Sequence, residues 1–78
     1  MKRSETRPHF VLCINDGGYI DDLQVGKVYQ VLPDESAARS SYLRIIDETG
    51  EDYLYPATYF VPIEIPEEAA QVLVRASE

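Results

Sequence analysis

Residues 51–63 read EDYLYPATYFVPI, and they are the most informative part of the chain about its fold. Aromatic and β-branched residues favour strands, whereas proline has no N–H to donate to a sheet ladder. We therefore expect a strand over residues 52–55, a 3₁₀ turn over 56–59 and a short last strand over 60–65. Pro62 confines the last strand to a sheet edge or a bulge. The spacing Pro56-x-x-Tyr59 fits either a binding surface or a purely architectural turn.

Three more strand-like runs precede this stretch, at residues 9–14 (HFVLCI), 27–32 (KVYQVL) and 42–46 (YLRII). The first two are joined by an irregular loop in which Leu23 and Val25 are the expected apolar anchors. The second and third are joined by a polar loop with room for one helical turn. Residues 47–50 (DETG) predict a hairpin turn, because Gly50 suits the left-handed position after a type I turn.

The C-terminal segment has the pattern of one amphipathic helix. Pro66 suits the first helical position, acidic residues follow it, and Arg75 lies near the end, where the helix dipole favours a cation. Ala69, Val72, Leu73 and Ala76 form an apolar stripe at helical spacing. A helix this short is marginal alone, so we expect it to dock on its own domain. The alternative is that the stripe faces a partner helix or a second copy.

Five short strands followed by one helix predict a mainly β protein. Short strands leave unpaired edges, and a small, partly open barrel is the natural way to hide them. We expect a small five-stranded barrel over residues 8–65, a docked C-terminal helix over 66–76 and a flexible basic tail over 1–7. A chain of 78 residues makes one domain.

The charge is unevenly distributed along the chain, whose formal net charge is −7. Residues 1–7 carry three basic groups and one acid, while residues 8–78 carry four basic groups and 13 acids. An acidic body repels phosphate and attracts basic surfaces, so nucleic-acid binding is disfavoured. The single cysteine allows no internal disulfide, which fits a reducing compartment. With no secretory signal and no membrane-spanning run visible, we expect a cytoplasmic monomer.

Several segments resemble Src-homology-3 domains in the order that family has them. Residues 21–32 (DDLQVGKVYQVL) resemble the D-E-L-S-F-K-x-G-D-x-x-x-V-L segment, residues 49–51 (TGE) the distal hairpin, and residues 55–61 (YPATYFV) the F-P-x-N-Y-V motif. The resemblance implies a small barrel with Tyr55 and Phe60 in its core. It also implies that Pro56 and Tyr59 face a groove that binds proline-rich segments in the polyproline II conformation.

The chain departs from that family at several groove positions. Residues 11–15 (VLCIN) have no tyrosine where the family has A-L-Y-D-Y, Tyr42 stands near the position of the groove tryptophan, and Thr58 replaces an asparagine. The whole pattern is also similar to short bacterial and phage proteins with Src-homology-3-like barrels. That second resemblance implies the fold but no activity.

The candidate partner-binding surface combines aromatic and acidic residues, namely Tyr42, Pro56, Tyr59, Tyr19, Asp21 and Asp22. Tyrosine gives a large contact area with a polar tip, and Tyr53 is a further possible member. The family resemblance implies that the acids pair with an arginine of the ligand. The competing interpretation is that Pro56 ends a strand, Tyr59 packs against the barrel and the acids form a solvated loop.

No pattern of residues predicts catalysis or metal binding. His9 and Cys13 are the only members of their types, and four strand positions place them about 13 Å apart on one face. A structural zinc site usually needs four ligands, and a cysteine nucleophile needs a base beside it. We expect a buried, inert Cys13, no cofactor and no enzymatic activity.

Two functional hypotheses follow. The first is a non-enzymatic interaction module of Src-homology-3-like fold that binds a protein or peptide segment through the aromatic and acidic surface. The alternative is a small acidic inhibitor that occupies a basic, nucleic-acid-binding cleft of a host or phage enzyme. Acids spread along one face of the molecule would favour the alternative.

Overall fold

The structure, a computed structural model, describes residues 9–76, so the basic tail expected at residues 1–7 lies outside the described part. The chain forms five strands and two helices: β1 (His9–Cys13), β2 (Val28–Leu32), α1 (Glu35–Arg39), β3 (Tyr42–Ile46), β4 (Asp52–Pro56), a 3₁₀ turn (Ala57–Tyr59), β5 (Phe60–Ile63) and α2 (Glu67–Ala76). The prediction of a mainly β chain with a short C-terminal helix is confirmed.

All five strands form one antiparallel sheet in the order β4-β3-β2-β1-β5. The strands β4 and β5 are therefore its two edges, and Pro62 lies in an edge strand as the sequence predicts. The 47–50 turn between β3 and β4 is also confirmed. Gly50 has a φ of +86°, and the Asp47 N–H donates to the Glu51 carbonyl at 3.0 Å.

One face of the sheet carries the main hydrophobic core. Its buried members come from all five strands and the first loop: Val11, Cys13, Leu23, Tyr29, Ile45, Tyr55 and Phe60. The rings of Tyr55 and Phe60 meet edge to face, with centroids 6.3 Å apart. Leu23 anchors its loop as predicted, whereas the prediction for Val25 is wrong, because that side chain is largely exposed.

The opposite face of the sheet is partly covered by α2. Phe10 points away from the main core, yet it is only 5% exposed. Leu73 of α2 lines the same cleft as Phe10, and Ala70 of α2 is buried. The predicted apolar stripe is wrong at Ala69, which is exposed, and at Val72, which is 61% exposed. The run AAQVLV contains two overlapping stripes that share Leu73, and tertiary packing selects the one through Ala70.

Candidate functional site

Tyr42 and Pro56 lie directly opposite each other in the ladder between β3 and β4. Successive side chains in a strand point to opposite faces. Tyr42 therefore shares a face with Arg44 and Leu54, on the side of the sheet away from the main core. The Tyr42 side chain is partly exposed and Pro56 is half-buried.

Tyr59, the last residue of the 3₁₀ turn, contacts the loop that follows β1. Its ring packs against Phe60 with centroids 6.3 Å apart, and its carbonyl accepts the N–H groups of Ile14 and Asn15 at 2.8 and 3.2 Å. A methyl group added at Gly17 would overlap the Tyr59 ring. Gly17 also has a φ of +59°, a backbone conformation that favours glycine. Tyr59 therefore joins the turn to the loop.

Tyr19 and Asp22 are positioned by a tight turn within the first loop. The Tyr19 carbonyl accepts the N–H groups of Asp22 and Leu23 at 3.0 and 2.8 Å. Because Leu23 is fully buried, this turn is fixed to the core. The Tyr19 ring meets the Tyr55 ring edge to face at 5.4 Å and remains 48% exposed.

The turn and β4 together form a cleft of about 260 Å³, which we name the tyrosine cleft. Its lining residues come from the loop, the hairpin turn and β4: Tyr19, Asp22, Thr49, Tyr53, Leu54 and Tyr55. Tyr53 is 50% exposed, and its hydroxyl donates to the Glu51 carboxylate at 3.1 Å. Two exposed tyrosines and a carboxylate thus surround one concave surface, an arrangement suited to contacts with a partner protein.

A second cleft, of about 330 Å³, lies on the other side of β4, and we name it the arginine cleft. It is lined by residues of α1, β3 and β4: Asp34, Ser36, Ala37, Ser40, Tyr42, Arg44 and Leu54. The Arg44 guanidinium bridges Asp34 and Asp52, with both contacts at 2.9 Å. The pKa of Asp34 is lowered, first because its carboxylate accepts the Ala37 N–H at the start of α1 and then because of Arg44. Leu54 lines both clefts.

The hairpin beside the tyrosine cleft is held by a buried carboxylate. Asp47 is only 5% exposed and accepts the Tyr55 hydroxyl at 2.7 Å. It also accepts the backbone N–H and the hydroxyl of Thr49, at 2.9 and 2.6 Å. Burial raises the pKa of the Tyr55 phenol, and the hydrogen bond to Asp47 raises it further. These contacts hold Tyr55 and Thr49, which both line the tyrosine cleft, in fixed positions.

Glu48, a carboxylate of the hairpin turn, links the hairpin to Tyr29 of β2 and to the preceding residue Lys27. It accepts the Lys27 ammonium at 2.8 Å and the Tyr29 hydroxyl. The pKa of Glu48 is lowered by Lys27 first and by Tyr29 second. Lys27 and Glu48 border a cleft of about 300 Å³ beneath α2, lined also by Phe10 and Leu73.

The described residues 9–76 contain no group of three or more His, Cys, Asp and Glu side chains placed to hold a metal ion. Cys13 is 1% exposed, as predicted, and burial raises the pKa of its thiol. Within the same residues, neither helix has the length and apolar character needed to cross a membrane.

The structure separates the six predicted site residues into different places. Tyr19 and Asp22 line the tyrosine cleft, and Tyr42 lines the arginine cleft. Pro56, Tyr59 and the exposed Asp21 line neither of these two clefts. Thr49 and Leu54 were missed by the sequence reasoning. For Leu54 the sequence did contain a signal: its strand ends at a proline, and proline in a strand indicates a sheet edge. An apolar residue in such a strand can therefore be exposed.

Comparison with known proteins identifies no relative: no protein-family model, no curated protein and no solved structure matches this chain.

Proposed function

We propose that this protein is a non-enzymatic interaction module of Src-homology-3-like barrel fold, and that it binds a segment of another protein at the tyrosine cleft. The observation that supports this most is the pairing of two half-exposed tyrosines in one concave surface. Tyr19 is 48% exposed and Tyr53 is 50% exposed. Exposed aromatic residues around a concave surface are typical of sites that carry most of the binding energy of an interface.

The charges around the cleft favour a basic segment. Asp22 lines the cleft, and Glu51 accepts the hydroxyl of Tyr53 at its border. The neighbouring cation, Arg44, is already bound by two carboxylates. An arginine or lysine of the partner would therefore meet uncompensated negative charge, which steers association and fixes the register of the complex.

The remaining residues of the predicted surface extend this site. Tyr42 and Pro56 face the other side of β4, and Tyr59 lies at the end of the following turn. In the proposed module these three residues contact the partner outside the tyrosine cleft. The family resemblance implies such a role for Pro56 and Tyr59, which correspond to groove residues. Asp21, adjacent to Asp22 in the same loop, adds to the negative charge.

An NMR titration of ¹⁵N-labelled protein with arginine-bearing, proline-rich peptides tests the proposal. We expect shifts concentrated on Tyr19, Asp22 and Tyr53, and loss of binding in Tyr19→Ala and Tyr53→Ala. Val72→Ala, which shortens an exposed side chain on α2, is the matched control and should bind normally. Binding that survives both tyrosine substitutions would refute the cleft as the site.

The alternative, an acidic inhibitor of a basic cleft, is favoured by the pairing of two of the described cations with carboxylates. Both Lys27 and Arg44 are neutralised by carboxylates, which leaves many of the other acids of the body available to a partner. This alternative predicts strongly salt-dependent binding to a polyarginine probe that the tyrosine substitutions do not change. The interaction module predicts that the same substitutions abolish peptide binding.

A further inference from the structure

The outer edge of β4 is an unpaired row of backbone groups. β4 is the last strand of the sheet order, so it is paired on one side only. At one end of the β3–β4 ladder the Asp47 N–H donates to the Glu51 carbonyl at 3.0 Å, and at the other end the Ala57 N–H donates to the Ser41 carbonyl at 2.9 Å. Among residues 9–76, no backbone hydrogen bond outside the helices and strands ends on residues 52–55.

These two bonds determine which backbone groups face outwards. Hydrogen-bonded pairs alternate with non-bonded pairs along an antiparallel ladder. Counting from either end along the observed register, the bonded pairs are Ile45 with Tyr53 and Leu43 with Tyr55. The backbone groups of Asp52, Leu54 and Pro56 therefore point away from β3, towards the free edge. Since proline has no N–H, the edge offers outward donors at Asp52 and Leu54.

The other edge of the sheet is blocked at the equivalent place. The Ile14 N–H donates to the Tyr59 carbonyl at 2.8 Å, next to the pair Cys13 and Phe60. The same counting gives Val11 and Pro62 as a non-bonded pair, so the backbone of Pro62 faces outwards. Proline has no N–H to offer an incoming strand, and an outward proline is a common protection of sheet edges. The middle of β4 has no such protection.

The free edge of β4 also runs between two clefts. The tyrosine cleft lies on the side of Tyr53, the arginine cleft lies on the side of Tyr42, and Leu54 lines both. Side chains of a strand added at this edge would point alternately to the two sides. Strand addition typically combines main-chain hydrogen bonds, which provide affinity, with pockets for alternate side chains, which provide specificity.

We propose that β4 accepts an extended, cationic segment of a partner protein as a sixth strand, with alternate side chains entering the tyrosine and arginine clefts. This inference rests on the proposed function and specifies how the segment binds. The charges select the occupant, because Asp22 and Glu51 lie beside the edge, and the single positive charge of Arg44 is already bound by two carboxylates, Asp34 and Asp52. A second copy of the chain fits less well, since each copy carries a net charge of −7.

The test uses a heptapeptide that alternates arginine with valine, and two derivatives N-methylated at either the odd or the even positions. In an added strand only alternate amides face the protein. We expect the unmodified peptide to bind, one derivative to bind at least about tenfold more weakly, and the other to bind about as well as the parent. Equal binding of both derivatives would overturn strand addition.

On the protein side, Leu54→Pro removes an outward N–H without removing a ladder hydrogen bond to β3. The matched control is Leu54→Ala, which shortens the same side chain and keeps the N–H. We expect Leu54→Pro to bind the unmodified peptide about tenfold more weakly than Leu54→Ala. Equal binding by the two folded variants would overturn strand addition. An unfolded Leu54→Pro would be evident from collapsed amide dispersion, and the N-methylated peptides then decide the question.

The remaining outcomes separate this inference from the proposed function. If a proline-rich peptide binds in a Tyr19-dependent way and the alternating peptide does not, the tyrosine cleft stands and strand addition is wrong. If neither peptide binds, both proposals are wrong. A concentration-dependent dimer in sedimentation, abolished by Leu54→Pro, would assign the edge to a second copy and overturn the cationic occupant.

Discussion

Replacing Tyr55 by phenylalanine should destabilise the protein far more than the loss of one oxygen atom suggests. The Tyr55 hydroxyl donates to the Asp47 carboxylate at 2.7 Å, and Asp47 is only 5% exposed. The substitution leaves one carboxylate oxygen without this donor in a place that water reaches poorly. The other oxygen keeps both contacts to Thr49.

The magnitude follows from the charge and burial of the acceptor. A hydrogen bond to a charged group contributes about 1.5–3 kcal/mol, so we expect the free energy of unfolding to fall by about 2 kcal/mol. For a domain of this size that corresponds to a decrease in Tm of about 8–16 °C. The total stability of a small domain is about 5–15 kcal/mol, so the loss is a large fraction of it.

Urea and thermal unfolding followed by circular dichroism measure this change. The matched control is Tyr53→Phe, which removes the same atom from a neighbouring residue of β4. There the hydroxyl donates to an exposed carboxylate at 3.1 Å, so we expect no measurable change in Tm. A Tyr55→Phe protein that melts with the wild type, or no lower than Tyr53→Phe, would refute the reasoning that Asp47 needs this donor.

Three other predictions concern pH, the first loop and the thiol. Burial raises the pKa of Tyr55 above its ordinary value, so its contribution to stability is present below about pH 10 and is lost as the pH rises further. Urea melts between pH 8 and pH 11 should show that decline, and a decline of the same steepness in Tyr55→Phe would contradict it. Gly17→Ala should unfold more readily than Gly18→Ala, because both have positive φ but only the former overlaps the Tyr59 ring; equal urea midpoints would count against that overlap. The Cys13 thiol should react with an aromatic disulfide reagent in urea but not in the native state, since it is 1% exposed, and rapid native labelling would show that the core opens there.

Much of the fold could be predicted from local patterns. The strand β3 begins and ends at the predicted residues, and the hairpin turn with Gly50 and the 3₁₀ turn after Pro56 lie where expected. These elements depend on properties of neighbouring residues, such as the missing N–H of proline and the tolerance of glycine for positive φ. Predictions failed where two local patterns were equally good, as in α2, where Leu73 belongs to two possible apolar stripes.

The arrangement of the candidate site depended on long-range packing much more than the strands and turns did. Tyr19 and Tyr53 are far apart in the chain. The burial of Leu23, the contact between the Tyr19 and Tyr55 rings and the hydrogen bond from the Glu48 N–H to the Asp22 carbonyl bring their loop and strand to one cleft. Tyr42 and Pro56 were predicted together and do lie opposite each other. They face the other side of the sheet from the core, however, because side-chain direction follows from the register between β3 and β4.

The amino-acid sequence by itself determined the class of fold, the turns, the acidic body and the burial of Cys13, because each follows from residue type and short-range spacing. The burial of Tyr55 and Phe60 was implied by the resemblance to Src-homology-3 domains. Only the tertiary structure decided which strand edge stays open and which aromatic residues share a cleft. Those features arise from the order of strands in the sheet, and strand order depends on contacts between residues distant in the chain.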